Sequence, residues 1–84
     1  MTARTILIVD DDNDLRTTLV DQLSLHEEFA VLQEATAAKG IATARGGTVD
    51  LLIMDVGLPD MDGREAVKIL RRGGFKAPII MLTG

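Results

Sequence analysis

Residues 51–63 read Leu-Leu-Ile-Met-Asp-Val-Gly-Leu-Pro-Asp-Met-Asp-Gly, and this segment is the most informative part of the sequence about the fold. Its four leading apolar residues are typical of a strand buried on both faces of a parallel sheet. Asp55 follows at once, and Gly57, Pro59 and Gly63 then mark a turn-rich segment. Open α/β sheets bind their ligands at the carboxyl edge. The stretch therefore predicts a functional carboxylate, Asp55, where a buried strand ends.

Strands and helices alternate along the rest of the chain. β-Branched apolar runs predict strands, and apolar residues spaced by three and four predict helices, with Thr36 as the cap of the second. The predicted strands are 5–9, 29–33, 51–54 and 79–82, and the predicted helices are 14–24, 37–45 and 64–72. This β-α-β-α-β-α-β order predicts a parallel sheet with right-handed crossovers.

Composition limits the possible functions. The 84 residues make one domain at most, and the absence of cysteine excludes disulfides and thiolate metal sites. A formal net charge of -4 argues against nucleic-acid binding by this segment. No apolar run approaches the roughly 20 residues of a membrane span, and no signal peptide is recognisable. We therefore expect a cytoplasmic protein without membrane contact.

Polar side chains follow three of the four predicted strands. Asp10 and Asp11 come after the first strand, Asp55 after the third and Thr83 after the fourth. The carboxyl ends of parallel strands meet at one edge, so these residues are expected to lie close together. Clustered carboxylates repel each other, and a divalent cation relieves the repulsion. Mg²⁺ prefers such oxygen ligands, and the carbonyl of Gly57 is a further candidate.

A carboxylate beside Mg²⁺ is suited to attack phosphorus and form an aspartyl phosphate. The metal offsets charge on the transferred group. The hydroxyl of Thr83 is then available to hydrogen-bond the phosphoryl oxygens. A carboxylate in the position of Asp55 can therefore accept a phosphoryl group.

Three motifs resemble a known family. They are Ile-Leu-Ile-Val-Asp-Asp-Asp at 6–12, the stretch 51–63, and Pro-Ile-Ile-Met-Leu-Thr-Gly at 78–84. In order and separation they resemble the motifs of the receiver domain of two-component response regulators. The resemblance extends over the whole chain. The resemblance implies a flavodoxin-like parallel sheet with strand order 2-1-3-4.

The resemblance also implies a role for each candidate residue. Asp55 is the phosphoacceptor, and its partner is a sensor histidine kinase. Asp10 and Asp11 form the acidic pair, with Asp11 as the direct Mg²⁺ ligand, and Gly57 supplies its carbonyl. Thr83 is the switch hydroxyl. On this interpretation the chain is a signalling domain and not an enzyme.

The departures from the family matter equally. Receiver domains carry a Lys at the end of a fifth strand, an aromatic switch residue on that strand and two more helices, and residues 1–84 match none of these. We therefore expect a partial receiver domain, about two thirds complete and poorly phosphorylated alone, since no cation is left to pair with the phosphoryl group. An output domain beyond Gly84, most commonly DNA-binding, would regulate transcription. An open edge on the fourth strand and an uncovered sheet face predict self-association.

Other functions were weighed on the same acidic residues. Asp10 and Asp12 resemble the nucleophile motif of haloacid-dehalogenase-like phosphatases, but Asp14 stands where that motif has Thr or Val. An EF-hand is excluded because Leu15 and Asp21 replace its Gly and Glu. Nucleotide binding needs a Gly-rich turn after the first strand, where this chain has acids. A self-associating fragment without phosphotransfer stays open.

Several polar and small residues near these motifs have structural interpretations. Asp12 and Asp14 suit the start of the first helix. Asp60 and Asp62 are typical turn formers. Gly63 is expected to serve turn geometry.

Overall fold

A computed structural model describes residues 3–82 as alternating strands and helices. The elements are β1 (Arg4–Val9), α1 (Asn13–Ser24), β2 (Phe29–Glu34), α2 (Ala37–Gly46), β3 (Leu51–Asp55), α3 (Gly63–Arg72) and β4 (Ile79–Leu82). Each predicted element is present, with bounds that differ by at most one residue. In this range no helix combines the length and apolarity needed to cross a membrane.

The sheet has four parallel strands in the order β2-β1-β3-β4. This confirms the predicted flavodoxin-like order. In the register, Ile8 lies opposite Gln33 of β2 on one side and Ile53 of β3 on the other. The two central strands carry the most continuous apolar runs, because both of their faces and both of their edges are covered.

The core lies between the sheet and the pair α2 and α3. Leu7, Val9, Leu52 and Met54 point into it from β1 and β3 and are fully buried. Side chains alternate along a strand, so Ile8 lies on the opposite face, where α1 packs against β2 and β1. That second face is less well covered, because α1 has no buried residue.

Local signals explain where the helices begin. The side chain of Asp12 accepts a hydrogen bond from the Leu15 N–H (3.0 Å), and that of Thr36 accepts one from the Lys39 N–H (3.3 Å). Both caps were predicted. They satisfy N–H groups that lack partners in the first turn of α1 and α2.

Two glycines allow close contact between helices and sheet. A Cβ added to Gly40 would lie 2.6 Å from the Cγ2 of Val9, so α2 approaches β1 closely despite the weak helix propensity of glycine. A Cβ on Gly63 would lie 2.0 Å from the carbonyl oxygen of Asp55. Gly63 has no positive φ, so the turn-geometry interpretation was wrong. It is needed because α3 begins against the end of β3.

We predict that Gly63→Ala destabilises the fold by about 3 kcal/mol, the upper range for an overpacked site, because backbone atoms of Asp55 and Val56 must move. Urea unfolding followed by far-ultraviolet circular dichroism measures the change. Gly46→Ala is the matched control, since a Cβ there meets nothing within 4 Å. The control should be neutral or stabilising by up to about 1 kcal/mol. Equal stability of the two variants would contradict the prediction.

Candidate functional site

Three carboxylates meet at the carboxyl edge of the sheet. Val9 and Met54 are register partners, so Asp10 and Asp55 follow at the same level on neighbouring strands. One carboxylate oxygen each from Asp10, Asp11 and Asp55 lie within 4.8 Å of one another. The geometry therefore gathers the acids that the sequence placed far apart.

Asp10 is the buried member of this cluster, with 1% of its surface exposed. Its Oδ1 accepts a hydrogen bond from the Asp12 N–H (2.9 Å). Burial, followed by the charges of Asp55 and Asp11, raises the pKa of the Asp10 carboxyl above its usual value, against the lowering effect of the Asp12 N–H. The ionised cluster is therefore under electrostatic strain.

Arg16 lies beside the cluster but does not neutralise it. Its guanidinium donates to the carbonyl of Asp10 (2.6 Å), to Gln33 Oε1 (2.9 Å) and to Asn13 Oδ1 (2.7 Å). Between residues 3 and 82 none of the ion pairs involves a carboxylate of the cluster. Sequence reasoning did not single out Arg16, whose hydrogen bonds link α1 to Gln33 of β2 and to Asp10, directly after β1.

The donor set fits a hard divalent cation. Three carboxylates in mutual reach suit Mg²⁺, which takes oxygen ligands and keeps several waters. Asp11 is exposed and Asp55 half-buried, so the cluster is open to solvent on one side.

The loop from Val56 to Asp62 borders the cluster and carries Gly57. The Val56 N–H donates to the Leu82 carbonyl (3.1 Å), and the Gly63 N–H donates to the Val56 carbonyl (2.8 Å). An isolated antiparallel bridge joins Gly57 to Asp62. The loop is therefore held at both ends, with exposed Gly57 next to the acids. Thr83, the remaining predicted site residue, lies outside the described residues.

Two acids of this loop do more than form turns. Asp62 caps α3 by accepting from the Arg64 N–H (2.8 Å) and pairs with the Arg64 guanidinium (2.7 Å), which lowers its pKa to about 2. Asp60 accepts from the N–H groups of Ala37 (2.9 Å) and Ala38 (3.0 Å), which lower its pKa. An acid just before a helix is a readable cap signal for Asp62. No local pattern links Asp60 to α2.

The chain is an open α/β protein with three clustered carboxylates at the carboxyl edge of its parallel sheet, which is where open α/β sheets generally bind ligands. The family model of the response regulator receiver domain matches residues 6–84. The chain therefore belongs to the response regulator receiver domain family.

Curated relatives are regulators and an enzyme. The chain is 34% identical over 79 residues to the transcriptional regulatory protein CiaR of Streptococcus pneumoniae, covering 93% of this chain and 34% of CiaR. It is 37% identical over 82 residues to a protein-glutamate methylesterase/protein-glutamine glutaminase of Nocardioides, covering 93% of this chain and 22% of that protein. The chain thus spans 34% of the first of these relatives and 22% of the second.

Solved structures share the fold throughout. A CheY-like receiver domain of Methanospirillum hungatei has a TM-score of 0.92 at 32% identity, covering 99% of this chain and 66% of that one. The Thermotoga maritima response regulator TrrA, solved with Mg²⁺ and BeF, has a TM-score of 0.87 at 29% identity, and the match covers 95% of this chain and 69% of TrrA. The structure of TrrA in complex with the histidine kinase ThkA has a TM-score of 0.87 at 28% identity, and the match covers 96% of this chain and 69% of that one.

We predict that Asp10→Asn stabilises the metal-free chain at neutral pH. A unit-charge pair 4 Å apart is worth about 1 kcal/mol in water and about 4 kcal/mol near a protein surface, so the gain should be at least about 1 kcal/mol. An asparagine oxygen keeps the Asp12 N–H bond. Thermal unfolding in chelator measures the effect.

The effect of Asp10→Asn should also depend on pH and on Mg²⁺. Because folding raises the pKa of Asp10, its ionised carboxylate destabilises the folded chain at neutral pH. This destabilisation disappears as the pH falls through the raised pKa and the carboxylate is protonated. Mg²⁺ should stabilise the unaltered chain more than the variant. Asp14→Asn, which changes an exposed acid in the first turn of α1, should bring no gain. A loss of stability in Asp10→Asn at neutral pH would contradict the argument.

Proposed function

We propose that this chain is a phosphoacceptor signalling domain in which Asp55 receives a phosphoryl group from a sensor histidine kinase. The observation that carries the proposal is the gathering of Asp10, Asp11 and Asp55 at one open edge of the sheet. The complex of the similar protein TrrA with a histidine kinase supports the choice of partner.

Mg²⁺ is the cofactor that this donor set fits. Asp10, Asp11, Asp55 and the carbonyl of Gly57 would hold it, with Asp11 as an exposed and therefore accessible ligand. When bound, the ion supplies positive charge that offsets the charge of the transferred phosphoryl group. TrrA, whose structure contains Mg²⁺ and BeF, supports this assignment.

The chemistry of Asp55 follows from its position. A carboxylate oxygen of Asp55 forms the new bond to phosphorus while the bond from phosphorus to the donor's imidazole nitrogen breaks. The electron pair of that bond leaves with the imidazole, which takes a proton from solvent. Asp10 stays buried and anchored to the Asp12 N–H, and the hydroxyl of Thr83 donates to a phosphoryl oxygen of the product.

The protein as a whole is proposed to regulate transcription in the cytoplasm. CiaR, a transcriptional regulator of which the chain spans 34%, supports a DNA-binding output outside this segment. The segment itself, with a net charge of -4, is not expected to bind nucleic acid or membranes. Nor is it expected to act as an enzyme on a separate substrate. The phosphatase alternative is disfavoured because the Asp12 side chain caps α1.

We predict that Asp55→Asn abolishes phosphorylation. The chain, expressed with any sequence that follows Gly84 in its gene, is incubated with acetyl phosphate and Mg²⁺. Mass spectrometry of the intact protein then gives the number of phosphoryl groups added. The unaltered protein and the Asp14→Asn control should gain one group. The 84-residue polypeptide alone should label poorly, because residues 3–82 place no cation in an ion pair with the cluster. Labelling that persists in Asp55→Asn would remove Asp55 from this role.

We further propose that the 84-residue polypeptide self-associates. β4 is an edge strand that pairs with β3, and Ile80 on the side of the sheet facing α1 is 49% exposed. Unpaired strand edges and apolar faces promote association. Light scattering at micromolar to millimolar concentration should show oligomers, and Ile80→Lys should reduce them. A monodisperse monomer throughout that range would refute the proposal.

A further inference from the structure

Asp60 joins two parts of the chain that the sheet does not connect. Its two carboxylate oxygens accept hydrogen bonds from the N–H groups of Ala37 (2.9 Å) and Ala38 (3.0 Å), more than twenty residues earlier. These groups lie in the first turn of α2, where helix N–H groups lack partners within the helix. A carboxylate there is also favoured by the helix dipole. Asp60 thus provides α2 with a cap from a remote loop.

The same loop carries the carbonyl proposed as a metal ligand. The bridge between Gly57 and Asp62 closes the loop at its base, and Asp60 lies near its tip. Leu58 anchors one side in the core with 9% of its surface exposed. Gly57 itself is exposed, and a Cβ there would meet nothing within 4 Å. No neighbouring atoms therefore pack in the direction of a Gly57 side chain, and the position of Gly57 depends on the backbone bridge to Asp62 and on the other hydrogen bonds that hold the loop.

We infer that Asp60 is a positioning residue, which holds the Gly57 loop against α2 so that its carbonyl is placed for Mg²⁺. The inference rests on the proposed function, because it concerns the same metal. It also makes the start of α2 part of the metal site. Coupling between two sites is reciprocal, so Mg²⁺ should in turn stabilise the bonds from Ala37 and Ala38 to Asp60.

The first test measures Mg²⁺ affinity by isothermal titration calorimetry, since the chain has no Trp or Tyr for fluorescence. Replacing a residue that orients a metal ligand typically lowers the metal affinity 10–100-fold, so Asp60→Ala should raise the Kd for Mg²⁺ about tenfold. Asp60→Asn, which keeps one acceptor oxygen, should restore part of the loss, to about threefold.

Thr36→Ala is the matched control. The Thr36 hydroxyl caps the same helix through the Lys39 N–H (3.3 Å), and this bond lies within the helix start and does not involve the Gly57 loop. Its loss should lower the Tm, as Asp60→Ala also does, while Mg²⁺ affinity stays within about twofold. A merely structural role of Asp60 would instead make affinity follow stability in both variants.

The second test is amide hydrogen exchange with and without Mg²⁺. In the unaltered chain Mg²⁺ should slow exchange at Ala37 and Ala38, and in Asp60→Ala this protection should disappear. Mg²⁺ binding with unchanged affinity in Asp60→Ala would overturn the inference alone. Failure of the unaltered chain to bind Mg²⁺ would overturn the proposed function, and the inference with it.

Discussion

Electrostatic repulsion among Asp10, Asp11 and Asp55 is the constraint on which the candidate site depends. A buried carboxylate beside two others is costly without a counter-charge, and the nearby guanidinium of Arg16 serves the backbone and two uncharged side chains instead. The packed core beneath the cluster stabilises the fold against this cost. A divalent cation bound by the three carboxylates would relieve this repulsion, and the half-buried Asp55 and exposed Asp11 leave the cluster accessible from solvent.

The loop after β3 borders the acid cluster and is held by hydrogen bonds to the starts of α2 and α3. Gly63 lets α3 begin against the carbonyl of Asp55, and Asp62 caps that helix. Asp60 reaches across to cap α2. Two helix starts are therefore fastened to the segment that carries Gly57. The proposed coupling between a bound metal ion and the start of α2 rests on the hydrogen bonds from Ala37 and Ala38 to Asp60.

Much of this architecture was predictable because its causes are local. Apolar runs located the strands, three- and four-residue spacing located the helices, and Asp12 and Thr36 marked two helix starts. The convergence of Asp10 and Asp55 was also predictable, since parallel strands end at one edge. For Asp60 the sequence predicts only a turn, because its hydrogen-bond partners lie more than twenty residues away and no sequence period connects them.

The order of the elements, the parallel sheet and the set of acids at its carboxyl edge can be predicted from the amino-acid sequence, since they follow from periodicity, capping and strand direction. The folded chain is needed to see which acids are buried, which loop residues cap distant helices and why Gly63 must lack a side chain. These properties arise from distances between segments that are remote in sequence. Burial and hydrogen bonding set the charge state of a carboxylate, and both depend on neighbours that only the folded chain supplies.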